Sequence, residues 1–400
     1  MGGRIRTGFP RLTARLHLVI DSWSLVIESW SSEMRVVICG GGVIGAATAY
    51  FLSRRGVAVT VIESTGIACA ASGKSGGFLA RDWCAGSPLD ALARRSFDLH
   101  AQLAAELPGD WGYRRLDTYA GFASQRTPLQ RFSGGYDLPW FSSDVAVSQA
   151  IGTPWTTAQV HPARFTQAMM RAAEANGAKL LLGRVTGIAR NGDRVTGVEV
   201  DGIVVEGDVL VIAMGPWSIL AAQWLKLPPI FGLKGHSLVF ETGDRVPAQA
   251  AFLEYQERSG AVLTPELFPR SDGTTYVCGI SGEEAVPVDP ARVAPDPRAI
   301  ARLEAMCASL SPVLAASPIL ARQACYRPVT RDGLPLIGPI AGIDGAYIAT
   351  GHSVWGILNA PATGEAMTEL IVDGAARTVD LTPFDPSRLP PFDPAQQRMG

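Results

Sequence analysis

Residues Val36–Glu63 read VVICGGGVIGAATAYFLSRRGVAVTVIE: two apolar runs, glycines crowded between them, and an acid closing the second run. Val36–Cys39 suits a buried parallel strand, and Val43–Leu52 repeats apolar and small residues as a buried helix does. Gly40, Gly42 and Gly45 carry the GxGxxG spacing. The first glycine permits a tight strand-to-helix turn, the second lets backbone approach a pyrophosphate, and the third lets helix and strand pack closely. Val43 and Ile44 then open the helix, where free N–H groups and the dipole favour an anion. A second strand, Val57–Ile62, runs into Glu63, placed to accept hydrogen bonds from an adenosine ribose. The stretch predicts a dinucleotide and leaves FAD against NAD open.

The remaining composition narrows the class. Four hundred residues exceed what one hydrophobic core usually serves, so two interleaved domains are expected. With 47% hydrophobic residues, 18% charged and a net charge of −2, nothing is basic enough to track nucleic acid. Six scattered cysteines form no CxxC pair and have no histidine at ligand spacing, so neither a metal site nor a disulfide framework is expected. No apolar run is long and uncharged enough for an integral membrane segment. Residues 1–33 carry Arg4, Arg6, Arg11 and Arg15 with no acid before Asp21. They read as an N-terminal extension ahead of Met34 or as a targeting segment. The expected location is cytoplasmic, or mitochondrial or plastid if those residues are a transit peptide.

After Glu63 comes ACAASGKSGGFLA, whose Ser72, Ser75, Gly76 and Gly77 can let a planar ring pass close to backbone, or can form a flexible linker. Near the other end stand CYRPVTRDGLPLIG, Cys325–Gly338, and YIATGHSVWGILNAPATGEAMTELI, Tyr347–Ile371. A strand running into Gly351 and a helix from about Ser353 offer a second helix N-terminus to a ligand.

These motifs, with VIAMGPWS at Val211–Ser218, together resemble the D-amino acid oxidase superfamily of FAD proteins, which includes glycine oxidase, sarcosine oxidase and dimethylglycine dehydrogenase. The similarity spans most of Met34–Gly374. It implies an α/β fold, α+β over the whole chain: a discontinuous Rossmann-like FAD-binding domain with a β-sheet-rich substrate-binding domain. Residues 34–81, 156–225 and 322–375 would form the first, and 82–155 and 226–321 the second. Residues 376–400 would be a proline-rich tail, extended or disordered. The resemblance further implies FAD-dependent oxidation of the C–N bond of an amine or amino acid, such as glycine, sarcosine or a D-amino acid, by hydride transfer to flavin N5. Molecular oxygen or an electron carrier would be the acceptor. Similar FAD-binding proteins act in assembly or trafficking, which makes a non-catalytic factor the alternative.

The implied cofactor residues are Gly40, Gly42, Val43, Ile44, Gly45, Glu63, Ser72, Ser75, Gly76, Gly77, Val185, Gly215, Trp217, Gly351, His352, Gly356 and Ile357. Arg327, in YRPVTRDG, resembles the arginine that holds the substrate carboxylate in glycine oxidases; its alternative is structural pairing with an acid such as Asp332. His352 would lie near the ring and complete the catalytic set, in a hydrogen-bonding role. Cys325 stands about where monomeric sarcosine oxidases attach flavin covalently, although most relatives bind FAD non-covalently. His161 and His236 read as structural and Lys234 as a solvated side chain. Two departures from glycine oxidases concern the substrate: Val354 beside Trp355 replaces an arginine, and Glu266 in ELFPR replaces a tyrosine. They point to a cationic or larger substrate, or to one that is not an amino acid, with Glu266 receiving an ammonium group or standing as a surface acid.

Overall fold

The computed structural model describes residues 34–126 and 135–393. Residues 1–33, expected as an extension or targeting segment, and residues 394–400 of the expected tail lie outside the described residues. From Arg35 onward the described residues form a single compact unit.

Buried on both faces, Val36, Val37, Ile38 and Cys39 make the strand Arg35–Cys39 central to a six-stranded sheet. Its order is 336–339, 346–350, 209–212, 35–39, 58–63, 179–182, parallel throughout except for the antiparallel edge strand Leu336–Pro339. The helix Val43–Arg54 links the first two strands, as the glycine spacing predicts. Pro162–Ala175 forms a helix and Lys179–Leu182 the strand that follows it. A three-stranded meander, 185–191, 194–200 and 203–206, turns at Gly192, whose φ of 61° suits the Asn-Gly turn, and leads back to Val209–Ile212.

The second layer is a mostly antiparallel sheet ordered 319–329, 231–241, 274–282, 266–269, 249–256, 117–124, 145–152. The helix Pro297–Leu310 packs its buried face, Ile300, Leu303, Met306 and Leu310, into one core with Leu238, Phe240, Leu253, Leu267 and Val277 of that sheet.

Three expectations shift. The boundary at residue 322 falls inside the strand Ile319–Val329, which pairs along its length with Phe231–Glu241 and therefore belongs to the antiparallel sheet. The helix Asp90–Glu106 lies in a segment assigned to the substrate domain. It packs instead against the C-terminal helix Gly356–Asp373, where Arg95 forks onto Glu365 at 2.6 and 2.8 Å. The tail is ordered through residue 393. Two short 3-10 turns, Thr382–Phe384 and Pro386–Arg388, seat Phe384 at 0% exposure, and Arg388 reaches Asp332 at 2.8 Å. A proline-rich composition excludes helix and central strand but not a packed wrap, because buried Phe384 and the Arg388 pair hold the segment down.

The C-terminal helix crosses Val43–Arg54 at Gly364. A Cβ there would lie 2.6 Å from the Ala47 carbonyl carbon, so the two helices approach as only a glycine allows. Both helix N-termini consequently open toward the same side of the six-stranded sheet.

Truncating Phe384 to alanine should lower stability by about 3 kcal/mol or more, as for other fully buried aromatics. Thermal denaturation reads this, and an unchanged midpoint would show that the tail is not part of the core.

Candidate active site

Between the two sheets lies a cavity of about 650 Å³, within the range of small-molecule and cofactor sites. One end is the glycine turn. Gly40 has φ of 114°, and a Cβ on it would sit 2.4 Å from the Ala213 carbonyl oxygen. At Gly45 a Cβ would fall 2.0 Å from the Gly40 carbonyl oxygen, so this glycine sets how closely strand and helix pack. No side chain caps Gly42, the helix N-cap, apart from Ser72 Oγ, which accepts the Val43 N–H at 2.9 Å from across the cavity wall. Glu63 is buried: Oε2 accepts from Gly41 N–H at 2.7 Å and Oε1 from Thr65 N–H at 2.8 Å. The acid is thereby fixed beside the turn.

At the other end, the helix Gly356–Asp373 also begins without a side-chain cap, and Trp355, Gly356 and Ile357 face the cavity. Two helix N-termini that lack a cap from their own N-cap side chain, a fixed acid and a backbone cradle too tight for side chains suit a ligand with a diphosphate at one end and an electron-rich ring at the other. These residues fit FAD, and Val185, Ser75, Gly76, Gly77, Gly215 and Trp217 line the same space.

The antiparallel sheet supplies the remaining wall through alternate residues on its strands. Glu266 and Phe268 come from one strand, Tyr276 and Cys278 from the next, and Cys325 and Arg327 from Ile319–Val329. Glu266 pairs with Cys278 and Phe268 with Tyr276 across the ladder. Phe78, Trp83 and Phe252 close the aromatic side, with Phe78 stacked on Phe268 at 5.2 Å between centroids. Arg327 rests its guanidinium over Gly235, where a Cβ would stand 3.4 Å from Cζ, and donates to Ser281 Oγ at 3.3 Å.

Asp332, the alternative partner for Arg327, is held by Arg388, so the Arg327 guanidinium is left to the cavity wall. Glu266 is no surface acid: desolvation pushes its pKa up, while nearby Arg327 and the hydrogen bond from Cys278 Sγ at 3.5 Å pull it back. Burial pushes the Cys325 thiol up, with Arg327 and Lys74 opposing. His352 is buried, and its Nε2 lies 3.1 Å from Thr363 Oγ1. Desolvation lowers its pKa to about 3, so the ring is neutral at ordinary pH, and it lines the cavity. Lys234 is not solvated: it is buried and ion-paired with Glu284. His161 caps the helix Pro162–Ala175 through Nδ1, and His236 Nε2 accepts the Asp296 N–H at 3.1 Å.

Of the sequence-derived residues, Gly45 and Gly351 do not line the cavity. Gly45 packs the turn, and Gly351, with φ of 80°, carries the bend after the strand Ala346–Thr350. Val354 and Trp355 sit on the lining, Val354 more than half exposed at its rim. The aromatic wall of Phe78, Trp83, Phe252, Phe268 and Tyr276 is not among the residues that the motifs mark. The i, i+2 pairing of Phe268 with Glu266, on a strand already singled out, was the signal that could have revealed part of it.

The family described as FAD dependent oxidoreductase (DAO) matches over residues 35–370. A Schizosaccharomyces pombe protein, assigned only provisionally as an oxidoreductase, is 30% identical over 386 residues, covering 89% of this chain and 98% of its own. Glycine oxidase of Pseudomonas aeruginosa is 27% identical over 380 residues, 88% of this chain and 98% of that one. The crystal structure of glycine oxidase from Geobacillus kaustophilus superposes with a TM-score of 0.74 at 24% identity, covering 89% of this chain and 99% of that chain, a likeness of fold. Among the described residues no helix is long and apolar enough to cross a membrane.

Buried neutral imidazoles carry a consequence for acid stability. His352 and His100 ionise near 6.5 when exposed but are pushed down to about 3 and about 4. Protonation therefore favours the unfolded chain. Their contribution is complete above pH 6.5 and is lost as pH falls from there toward 4, by about 1.4 kcal/mol per pH unit for each ring. Chemical denaturation at pH 7 and pH 5 should show the loss, with a shallower dependence in His352→Gln; identical slopes would contradict it.

Proposed function

Because the chain belongs to the DAO family of FAD-dependent oxidoreductases, we propose that it binds FAD along this cavity and oxidises the C–N bond of an amine or amino acid presented at the antiparallel-sheet wall. The observation that carries the reading is the pairing of a guanidinium, Arg327, with a desolvated carboxyl, Glu266, on one aromatic-lined wall of a cavity that runs back to the glycine turn. Bound FAD would supply the hydride acceptor.

The chain's own residues have three tasks. Arg327 takes a substrate carboxylate with its planar fork, and Gly235 beneath it leaves the guanidinium free to lie flat. Glu266 accepts the substrate ammonium, a role that the tyrosine at this position in glycine oxidases would fill differently. The aromatic wall of Phe252, Phe268 and Tyr276 excludes water and faces the substrate side chain. Holding the carboxylate and the amine fixes the α-carbon, and the Glu266 carboxylate can take the proton that the ammonium must lose before hydride leaves; positioning of that kind is the larger part of what a hydride transfer asks of a protein. The wall has room for aromatic surface where a glycine-sized substrate needs none, which favours an amino acid with a bulky side chain or an N-substituent.

Anaerobic bleaching of the bound flavin by a panel of glycine, sarcosine, N-methylated amines and D- and L-amino acids tests the reading. Reduction by at least one amino acid is expected, with Arg327→Ala binding FAD normally but reduced at least about 100-fold more slowly, the loss of a desolvated charge-assisted pair. The Glu266 carboxylate, needed for a cation, is lost as pH falls through a pKa raised above 4.5. Rates should therefore decline on the acid side at higher pH than an exposed glutamate would give, and Glu266→Gln should abolish that limb. A panel that leaves the flavin oxidised throughout would favour a non-catalytic FAD protein.

FAD attachment is read as non-covalent, because a thiol whose pKa burial has raised is a poor nucleophile. Acid precipitation should leave a colourless pellet; yellow retained by the protein and lost in Cys325→Ala would establish a bond at Cys325.

A further inference from the structure

The helix Gly356–Asp373 contains Pro361. Proline has no N–H, so the carbonyl four residues earlier, that of Ile357, loses its intrahelical donor. That carbonyl lies in the first turn of the helix, and Ile357 itself lines the cavity. An orphaned carbonyl in a buried first turn is costly, and the turn has no side-chain cap to steady it.

His100 answers the vacancy from the neighbouring helix Asp90–Glu106. Its Nε2 lies 3.0 Å from the Ile357 carbonyl oxygen and 3.2 Å from that of Leu358. Both are acceptors only, so Nε2 carries the proton and donates. Nδ1 is buried without a partner, which a neutral ring tolerates, and burial keeps the ring neutral by lowering its pKa to about 4. Four residues earlier on the same face, Ser96 Oγ accepts the Ala362 N–H at 3.1 Å, on the far side of the proline. His100 and Ser96 are both 0% exposed. An apolar side chain would fill either place without bringing a polar atom of its own into the core, so filling the core does not account for them.

We propose that His100, assisted by Ser96, is a positioning residue: it replaces the hydrogen bond that Pro361 removes and so holds the first turn of Gly356–Asp373 in place at the cavity. The consequence for the cofactor rests on the reading that FAD occupies that cavity; the staple itself does not.

Hydrogen exchange of the peptide covering residues 356–367 tests it in the full chain, with His100→Leu, Pro361→Ala and the double variant beside the unaltered protein. His100→Leu should speed exchange about tenfold or more, as expected when a buried carbonyl is left unpaired. In the Pro361→Ala background the same change should alter exchange less than about twofold, because an alanine there restores the missing N–H. His100→Gln retains a side-chain N–H donor and should keep most of the protection. Equal acceleration in both backgrounds, or His100→Gln as damaging as His100→Leu, would overturn the proposal. If His100→Leu does not fold alone, the double variant must; failure of both also overturns it. Titration with FAD, followed by flavin fluorescence, should show about tenfold weaker binding in His100→Leu and recovery in the double variant. An unaltered chain that binds no FAD would remove the cofactor reading, while the exchange measurement would still decide the staple.

Discussion

Two helices can open onto one cavity only if their axes approach closely enough to bring both N-termini to the same place. Here that approach is set at Gly364, where the distance to the Ala47 backbone leaves no space for a Cβ. The glycine turn and the C-terminal turn are more than 300 residues apart in sequence, and this crossing makes them the two ends of one site. The nucleotide side itself is set by local contacts: Gly45 against the Gly40 carbonyl fixes the turn, Glu63 braces it, and Ser72 closes over the helix start. The staple from His100 and Ser96 belongs to the same design, because a proline in the crossing helix would otherwise free the turn that the crossing places.

The opposite wall obeys a different rule. A sheet delivers alternate side chains to one face, so three strands present three pairs, Glu266 with Phe268, Tyr276 with Cys278, and Cys325 with Arg327. Each pair combines a bulky or polar group with one that can bear charge or sulfur. The wall thus offers opposite charges a short way apart on an apolar ground, where interactions are stronger than in water and where an unpaired charge is costly. Glu266 shows the tension in its raised pKa, which Arg327 and Cys278 only partly relieve.

The nucleotide half was legible because its rules are local. Strand, glycine spacing, helix and acid lie within Val36–Glu63, and each residue type is dictated by backbone geometry that the sequence displays. The paired wall was legible only where resemblance pointed, at Arg327 and Glu266. Phe78, Trp83 and Phe252 come from separate segments and show no shared periodicity, so their meeting is a property of the fold alone. The same holds for the helix Asp90–Glu106, whose amphipathic pattern predicts a buried face but not which neighbour covers it. The tail illustrates the reverse error: composition described its backbone correctly, whereas Phe384 and Arg388, two residues in eighteen, decide that it is packed.

The long connections have a bearing on biosynthesis. The strand Val209–Ile212 lies between Arg35–Cys39 and Ala346–Thr350, and the helix Gly356–Asp373 at the far end of the cavity is made last but for the tail. A nascent chain therefore carries an unfinished parallel sheet, its edge open, until nearly all of it has been made. Arg388, which clamps the turn just beyond the strand bearing Arg327, arrives later still. Pairings of such sequence separation form slowly. The cavity lining runs from Gly40 to Ile357, so no fragment that ends before the helix Gly356–Asp373 contains all of it.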